Sequence, residues 1–266
     1  MNTERSVQEL FRLDGKVAIV TGAAGWLGSA MSRALAEAGA TLAVTSRDAD
    51  RAAEFAATLP GAGHVGLAFS QDDTTAIPDF VRTVVDRLGR VDILVNNAYG
   101  GTAPSIDNAT AEEFDRAYHT GVTAYFLLAR AVVDHLRGRG VSGSIINIAS
   151  MYGVVASYPD AYSGLPVNSP PSYHGLKGGL VHLTRHLAVY WAKDGVRVNA
   201  ISPGPFPAPR VSNALPEFIQ RLEQKSPMGR MGQPEELKGL VVLLASDAGS
   251  YITGQNILVD GGWTAW

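Results

Sequence analysis

The 266-residue sequence contains no cysteine, which excludes disulfides, thiolate nucleophiles and cysteine-ligated metals but leaves the redox compartment open. It also lacks charge of one dominant sign. A net charge of -3, with lysines and arginines scattered along the chain, offers no basic stripe for a nucleic-acid backbone. No apolar run reaches membrane-spanning length, and the N-terminal "MNTERSVQELFRLDGK" has none of the apolar core of a signal peptide, so a cytoplasmic location is expected. Polar tracts and like-charge blocks are missing too. With 46% hydrophobic and 18% charged residues, the composition is that of an ordered globular chain whose partners are small molecules.

What is present is a regular alternation. Short β-branched runs occur at 16–20, 41–45, 64–68, 92–96, 144–150, 196–202 and 256–260. Helical periodicity falls between them, near 27–38, 48–59, 77–88, 111–137, 173–193 and 234–245, with Pro78 and Pro234 suited to first turns. This pattern predicts an α/β fold with a seven-stranded parallel sheet and helices on both faces, in one domain spanning 1–266. Two stretches break the rhythm, 151–172 and the proline-rich 203–233. Both read as loops leaving strand ends, where ligands of open parallel sheets bind, so they are expected to wall a substrate pocket.

"VTGAAGWLG" (20–28) follows an apolar strand and opens a helix, the setting in which glycines let a backbone approach a pyrophosphate. Its glycines, Gly22, Gly25 and Gly28, follow the G-x-x-G-x-x-G spacing of two-domain sugar-nucleotide epimerases and dehydratases, which retain NAD. Further along come "NNAYG" (96–100), "NIASMYG" (147–153), "SYHGLK" (172–177), "VNAISPG" (198–204) and "VDGGW" (259–263). Tyr173 and Lys177 are four apart, so a helix puts them on one face. Tyr162, the competing tyrosine, meets Pro166 at that spacing. His182 and His186 share the spacing of a metal-binding pair, but Leu183 stands where the glutamate of H-E-x-x-H belongs, and no metal is expected.

Taken together and in this order, the motifs resemble the short-chain dehydrogenase/reductase family in its compact, single-domain branch, over nearly the whole chain. The resemblance implies a Rossmann-type doubly wound fold. It also implies an NAD(P)-dependent alcohol dehydrogenase or carbonyl reductase that interconverts a secondary alcohol and a ketone by hydride transfer. Too little chain follows "VNAISPG" for the second domain of the epimerase branch. Matched residue by residue, Tyr173 becomes the general acid/base, Lys177 its electrostatic partner and a ligand of the nicotinamide ribose, and Ser150 the hydroxyl that orients the substrate oxygen. Bringing a phenol from a pKa of about 10 to near neutrality requires about 4 kcal/mol. An ammonium about 4 Å away supplies about that much at an effective dielectric of about 20, so Lys177 is expected to do most of the tuning.

The coenzyme set implied by the resemblance is Gly22, Gly25, Leu27, Gly28, Ser46, Arg47, Asn97, Tyr173, Lys177, Pro203, Gly204 and Phe206. Ser46-Arg47 ends the second strand with a small residue and an arginine, the pattern that admits a 2′-phosphate, so NADP is expected, with Asp48 keeping NAD open. Three positions depart from the family. Trp26 stands where its second glycine usually lies, with the indole expected to point away. Gly121 occupies the place of the asparagine that holds a relay water behind the lysine, which raises a cofactor-sensing binding protein with little turnover as an alternative. "PGPFPAP" lacks the customary threonine after "SPG". Ser150 precedes Tyr173 by 23 positions, longer than the family's usual gap, so 151–172 carries an insertion. Tyr152, Tyr158, Tyr162, Asn168 and Arg210 suggest a sugar, sugar-acid or polyol substrate, and the family's usual assembly implies a homotetramer.

Overall fold

The computed structural model describes residues 4–265. Strands β1 (Val17–Val20), β2 (Thr41–Ser46), β3 (Val65–Ala68), β4 (Ile93–Asn96), β5 (Gly143–Ile148), β6 (Val196–Pro203) and β7 (Asn256–Val259) form one sheet. Its order is β3-β2-β1-β4-β5-β6-β7 and every pairing is parallel. The central strands β1 and β4 are buried at every position, as expected of strands covered on both faces, and they therefore read as continuous apolar runs.

The helices are α1 (Val7–Phe11), α2 (Trp26–Glu37), α3 (Ala49–Ala57), α4 (Ile77–Leu88), α5 (Ala111–Tyr118), α6 (Ala124–Arg139), α7 (Pro159–Tyr162), α8 (Pro171–Trp191), α9 (Pro209–Ala214), α10 (Pro216–Lys225) and α11 (Lys238–Ala245). One face of the sheet buries α2 and α11 through Met31, Leu35, Val241 and Leu244. The other buries α4, α6 and α8 through Val84, Leu128, Val132 and Leu187. Strand order reverses between β2-β1 and β4-β5, which opens a crevice beyond the carboxyl ends of β1 and β4. Among the described residues no helix is long and apolar enough to cross a membrane.

Three expectations need correction. The segments 151–172 and 203–233 are not simply loops: the first contains α7 and the start of α8, the second α9 and α10. These helices begin at Pro159, Pro171, Pro209 and Pro216, where the missing N–H costs nothing because first-turn donors have no partner inside the helix. The pattern at 111–137 is not one α-helix, since α5 and α6 are joined by a five-residue π-helical turn, His119–Thr123, centred on Gly121. Helix α1 lies in a stretch where the apolar spacing predicts none; Ser6 and Glu9 make its capping box.

A buried polar ladder crosses the middle of the fold. Asn96 Nδ2 donates to Asn147 Oδ1 (3.0 Å), Asn147 Nδ2 to Thr184 Oγ1 (3.0 Å), and Thr184 Oγ1 to the Leu180 carbonyl (2.9 Å). It ties β4 to β5 and β5 to α8. Each buried bond adds about 1 kcal/mol net, and removing one partner costs more because the other is left unsatisfied.

Candidate active site

The turn from β1 to α2 is pressed against the end of β4. Thr21 Oγ1 accepts from the backbone N–H groups of Asn97 (2.9 Å) and Ala98 (3.0 Å). Asn97 Nδ2 donates to the carbonyls of Thr21 (2.8 Å) and Gly22 (3.1 Å). Such close approach requires glycine. Gly22 has a φ of 62°, and a Cβ there would come within 2.9 Å of Ala98 Cα. A Cβ on Gly28 would collide with the Gly22 carbonyl and stand 2.8 Å from Asn97 Nδ2. Gly25 is the N-cap of α2 and offers no side-chain cap, so the first N–H groups of that helix stay available to an anion.

In front of this turn lies a cavity of about 400 Å3 bordered by Gly22, Gly25, Leu27, Gly28, Ser46, Arg47 and Asn97. These residues fit a dinucleotide, because the backbone is bare of side chains where a pyrophosphate would pass. Trp26 does not point fully away as expected. It is 37% exposed and forms part of the wall.

Arg51 also lines this cavity, beside Arg47, and its Nη2 donates to the Ala24 carbonyl (3.2 Å). The sequence held a signal for it, since position 51 is four beyond 47 at the start of a helix. The carboxylate of Asp48 accepts from the Arg51 backbone N–H (3.1 Å) as the N-cap of α3. It is thereby occupied in capping and does not border the cavity.

Ser150, Tyr173 and Lys177 meet beside Tyr99, a residue of the cavity wall. Ser150 follows β5, and its Oγ accepts from the Tyr152 N–H (3.1 Å) while lying beside the Tyr173 phenol. Tyr173 and Lys177 lie one turn apart at the start of α8, and Lys177, only 2% exposed, donates through Nζ to the Ile148 carbonyl (2.6 Å). Burial raises the Tyr173 phenol above its ordinary value, an effect opposed by the neighbouring Ser150 hydroxyl. Burial also lowers Lys177 to about 7. The expectation that Lys177 does most of the tuning meets an opposing effect that the charge-pair arithmetic omits, the burial of both groups. The same apolar surroundings disfavour either charge, and the ammonium stands 5.5 Å from the Tyr173 ring centroid.

Pro203, Gly204 and Phe206 do not border the main cavity. Pro203 ends β6, and the Gly204 N–H donates to the Val259 carbonyl (2.9 Å). Phe206 faces a separate hollow of about 90 Å3 with Met228 and Arg230. The insertion's tyrosines are largely engaged with one another and with a small apolar cluster. Tyr152 and Tyr162 share a hydroxyl–hydroxyl bond (2.6 Å), Tyr162 packs on Phe218, and Tyr158 packs on Trp263. Asn168 Nδ2 donates to the Ala103 carbonyl (3.2 Å), and Arg210 is exposed. His182 and His186 lie on the exposed side of α8, with the His186 ring tilted against that of Tyr190. Sequence reasoning missed Tyr99 and Tyr125, whose rings flank Lys177 together with that of Tyr173. Tyr99 sits inside "NNAYG", and that motif was the available signal.

Comparison with known proteins agrees with this geometry. The family model described as enoyl-(acyl carrier protein) reductase matches residues 22–264. An NADP-dependent mannitol dehydrogenase of Hypocrea jecorina is 37% identical over 98% of this chain and 97% of that protein. A gluconate 5-dehydrogenase of Gluconobacter oxydans is 32% identical over 96% and 97%. Among solved structures, a short-chain type dehydrogenase/reductase from Mycobacterium marinum superimposes with a TM-score of 0.86 at 35% identity, covering 98% of this chain and all of that one. A gluconate 5-dehydrogenase from Burkholderia cenocepacia, in complex with NADP and tartrate, gives 0.87 at 30% identity, over 98% of this chain and 100% of that one. With a family model matched over residues 22–264 and relatives matched along almost its full length, this chain belongs to the short-chain dehydrogenase/reductase family.

Proposed function

We propose that this protein is an NADP-dependent dehydrogenase that interconverts a secondary alcohol of a polyol, sugar or sugar acid with the corresponding ketone. The observation that carries the reading is the clustering of Ser150, Tyr173 and Lys177 beside Tyr99, a wall residue of the glycine-lined cradle that bears two arginines. The relatives' names, mannitol and gluconate dehydrogenases, support the polyhydroxylated class.

In the direction of oxidation, Tyr173 accepts the proton of the reacting hydroxyl at its phenol oxygen, and in reduction it returns that proton to the carbonyl oxygen. Ser150 holds the same oxygen and donates to it as negative charge develops. Lys177 balances charge on the phenol and reaches the nicotinamide ribose. Gly22, Gly25, Leu27 and Gly28 hold the pyrophosphate, Asn97 braces the turn, and Arg47 and Arg51 pair with the 2′-phosphate. Pro203, Gly204 and Phe206, which lie outside the cavity, would have to move or be approached by the coenzyme to cover its nicotinamide side. When bound, the oxidised coenzyme would supply the hydride acceptor. The insertion at 151–172 and the helices within 203–233 shape the substrate end. The chain assembles as a homotetramer through the outer face of α8, where Val189 and Tyr190 are exposed.

A spectrophotometric screen with NADPH and NADH over ketoses, keto acids, polyols and hydrophobic ketones tests the reading. NADPH-linked turnover of polyhydroxylated compounds is expected, and Tyr173→Phe should lower kcat by about 10²- to 10⁴-fold with little change in Tm. Turnover confined to hydrophobic ketones would overturn the substrate class. Undiminished activity of Tyr173→Phe would overturn the acid/base assignment. Light scattering on the eluting protein checks the tetramer.

A further inference from the structure

Lys177 is an ammonium without a carboxylate. It is buried on every side and forms none of the ion pairs among the described residues; its hydrogen bond is to the Ile148 carbonyl (2.6 Å). Its other neighbours are aromatic faces. The ring centroids of Tyr99 and Tyr173 each lie 5.5 Å from Nζ, and that of Tyr125 lies at 5.9 Å. These rings come from three places: the exit of β4, the start of α8 and the first turn of α6. Tyr125 is fixed by its hydroxyl, which donates to the Ala98 carbonyl (3.0 Å). Tyr99 packs against Tyr173 with centroids 5.4 Å apart and rings tilted by 57°. Its hydroxyl is buried and finds no partner, so the ring is the part of this side chain that has a visible role.

The seat of Tyr99 depends on Gly121. A Cβ at position 121 would stand 2.9 Å from Leu176 Cδ1 and 3.4 Å from Tyr99 Cδ2. Leu176 and Tyr99 fill the space that a longer side chain at 121 would need. The absence of a side chain there and the presence of the two large neighbours form one packing solution.

We propose that Tyr99 is a positioning residue for the reaction: its ring completes a three-tyrosine cage that holds the Lys177 ammonium charged and aimed by cation–π attraction. This inference rests on the assignment of Tyr173 and Lys177 as the acid/base pair. The groups facing Nζ are the Ile148 carbonyl from β5, Tyr99 from the β4 exit, Tyr125 from α6 and Tyr173 from α8, with Ser150 beyond the phenol. Burial pushes the lysine down to about 7, so at neutral pH a modest attraction from the rings changes how much of it is charged.

The test compares Tyr99→Phe, which keeps the ring, with Tyr99→Leu, which keeps bulk without a π face. In Tyr99→Leu, less positive charge beside Tyr173 raises the phenol's pKa. The acid limb of kcat/KM for alcohol oxidation should move up by about 0.4 to 1.5 pH, and kcat at pH 7 should fall by about 2- to 30-fold. Tyr99→Phe should keep both close to wild type. An unmoved acid limb in Tyr99→Leu, or a loss in Tyr99→Phe as large as that in Tyr99→Leu, overturns the proposal. If Tyr99→Leu does not fold, a series of increasingly fluorinated phenylalanines at 99 weakens the ring's attraction at nearly constant shape. A limb that moves stepwise along this series supports the cage, and a flat series overturns it. Tyr173→Phe, assayed alongside, reports separately on the acid/base pair: full activity there refutes that pair whatever the Tyr99 variants do.

Discussion

Replacing the two cavity arginines by leucine, singly and together, provides a quantitative test of coenzyme choice. Arg47 and Arg51 border the same cavity, and Arg51 is partly held by the Ala24 carbonyl. A hydrogen bond to a charged group contributes about 1.5–3 kcal/mol net. Both guanidiniums are exposed, so water screens them and the lower end applies, about 1.5 kcal/mol each. That corresponds to about tenfold in Kd for NADPH per arginine and about 100-fold for the pair. NADH has no phosphate at that position, and its Kd should change less than about threefold, within the range of a minor surface contact. Fluorescence titration with both coenzymes at about 0.05 M and about 0.5 M salt measures these ratios, and the NADPH advantage should shrink at the higher salt as the screening length falls. Asp48→Ala is the control: loss of the α3 cap should cost about 1 kcal/mol of stability and leave the NADPH/NADH ratio unchanged. Equal weakening of both coenzymes in the arginine variants, or a large gain for NADPH in Asp48→Ala, would refute the reasoning.

Two further outcomes follow from the packing around Lys177. Gly121→Asn, which places Cβ 2.9 Å from Leu176 Cδ1, should lower stability by about 1–3 kcal/mol in urea unfolding. Combined with Leu176→Ala it should cost less than the sum of the single changes by about 1 kcal/mol or more. Lys177→Met should be inactive and more stable than wild type near pH 6. The folded lysine is depressed to about 7 while the unfolded one titrates near its ordinary value of about 10.4, so wild-type stability rises with pH between those values. The variant's advantage is therefore largest below about pH 7 and disappears by about pH 10.4; an advantage that stayed constant over this window in urea midpoints would contradict the burial of a charged lysine.

The sheet was legible because both of its faces are covered: each of the seven strands is an apolar run whose bounds agree with the pattern to within a residue or two. Ser150, Tyr173 and Lys177 were legible because their relation is local to two short motifs. The helices inside 203–233 were hidden by prolines that mark loops in a linear reading and yet serve as first-turn residues of α9 and α10. The π-helical turn adds about one residue to a single turn, a phase shift too small to stand out in the apolar spacing of 111–137. Arg51 was legible from its place four beyond Arg47 at the start of a helix, and its position in the cavity wall bears that signal out. The cage around Lys177 required three chain segments to be brought together, and Gly121 seemed a loss until Leu176 and Tyr99 were seen in the space it frees.

The bonds from Asn96 through Asn147 to Thr184 bear on the chemistry from a distance. Leucines and valines on α8 would tolerate a shift along the sheet, because oily surfaces are forgiving about which neighbour they touch. A hydroxyl that must meet one particular amide is not. Thr184 lies on the same rod as Tyr173 and Lys177, so a slip of a single turn, about 5.4 Å, would strand that amide and carry both reactive side chains away from the Ile148 carbonyl and Ser150. The placing of Tyr173 and Lys177 against Ser150 and the Ile148 carbonyl is thus indexed by a contact made elsewhere along the same helix.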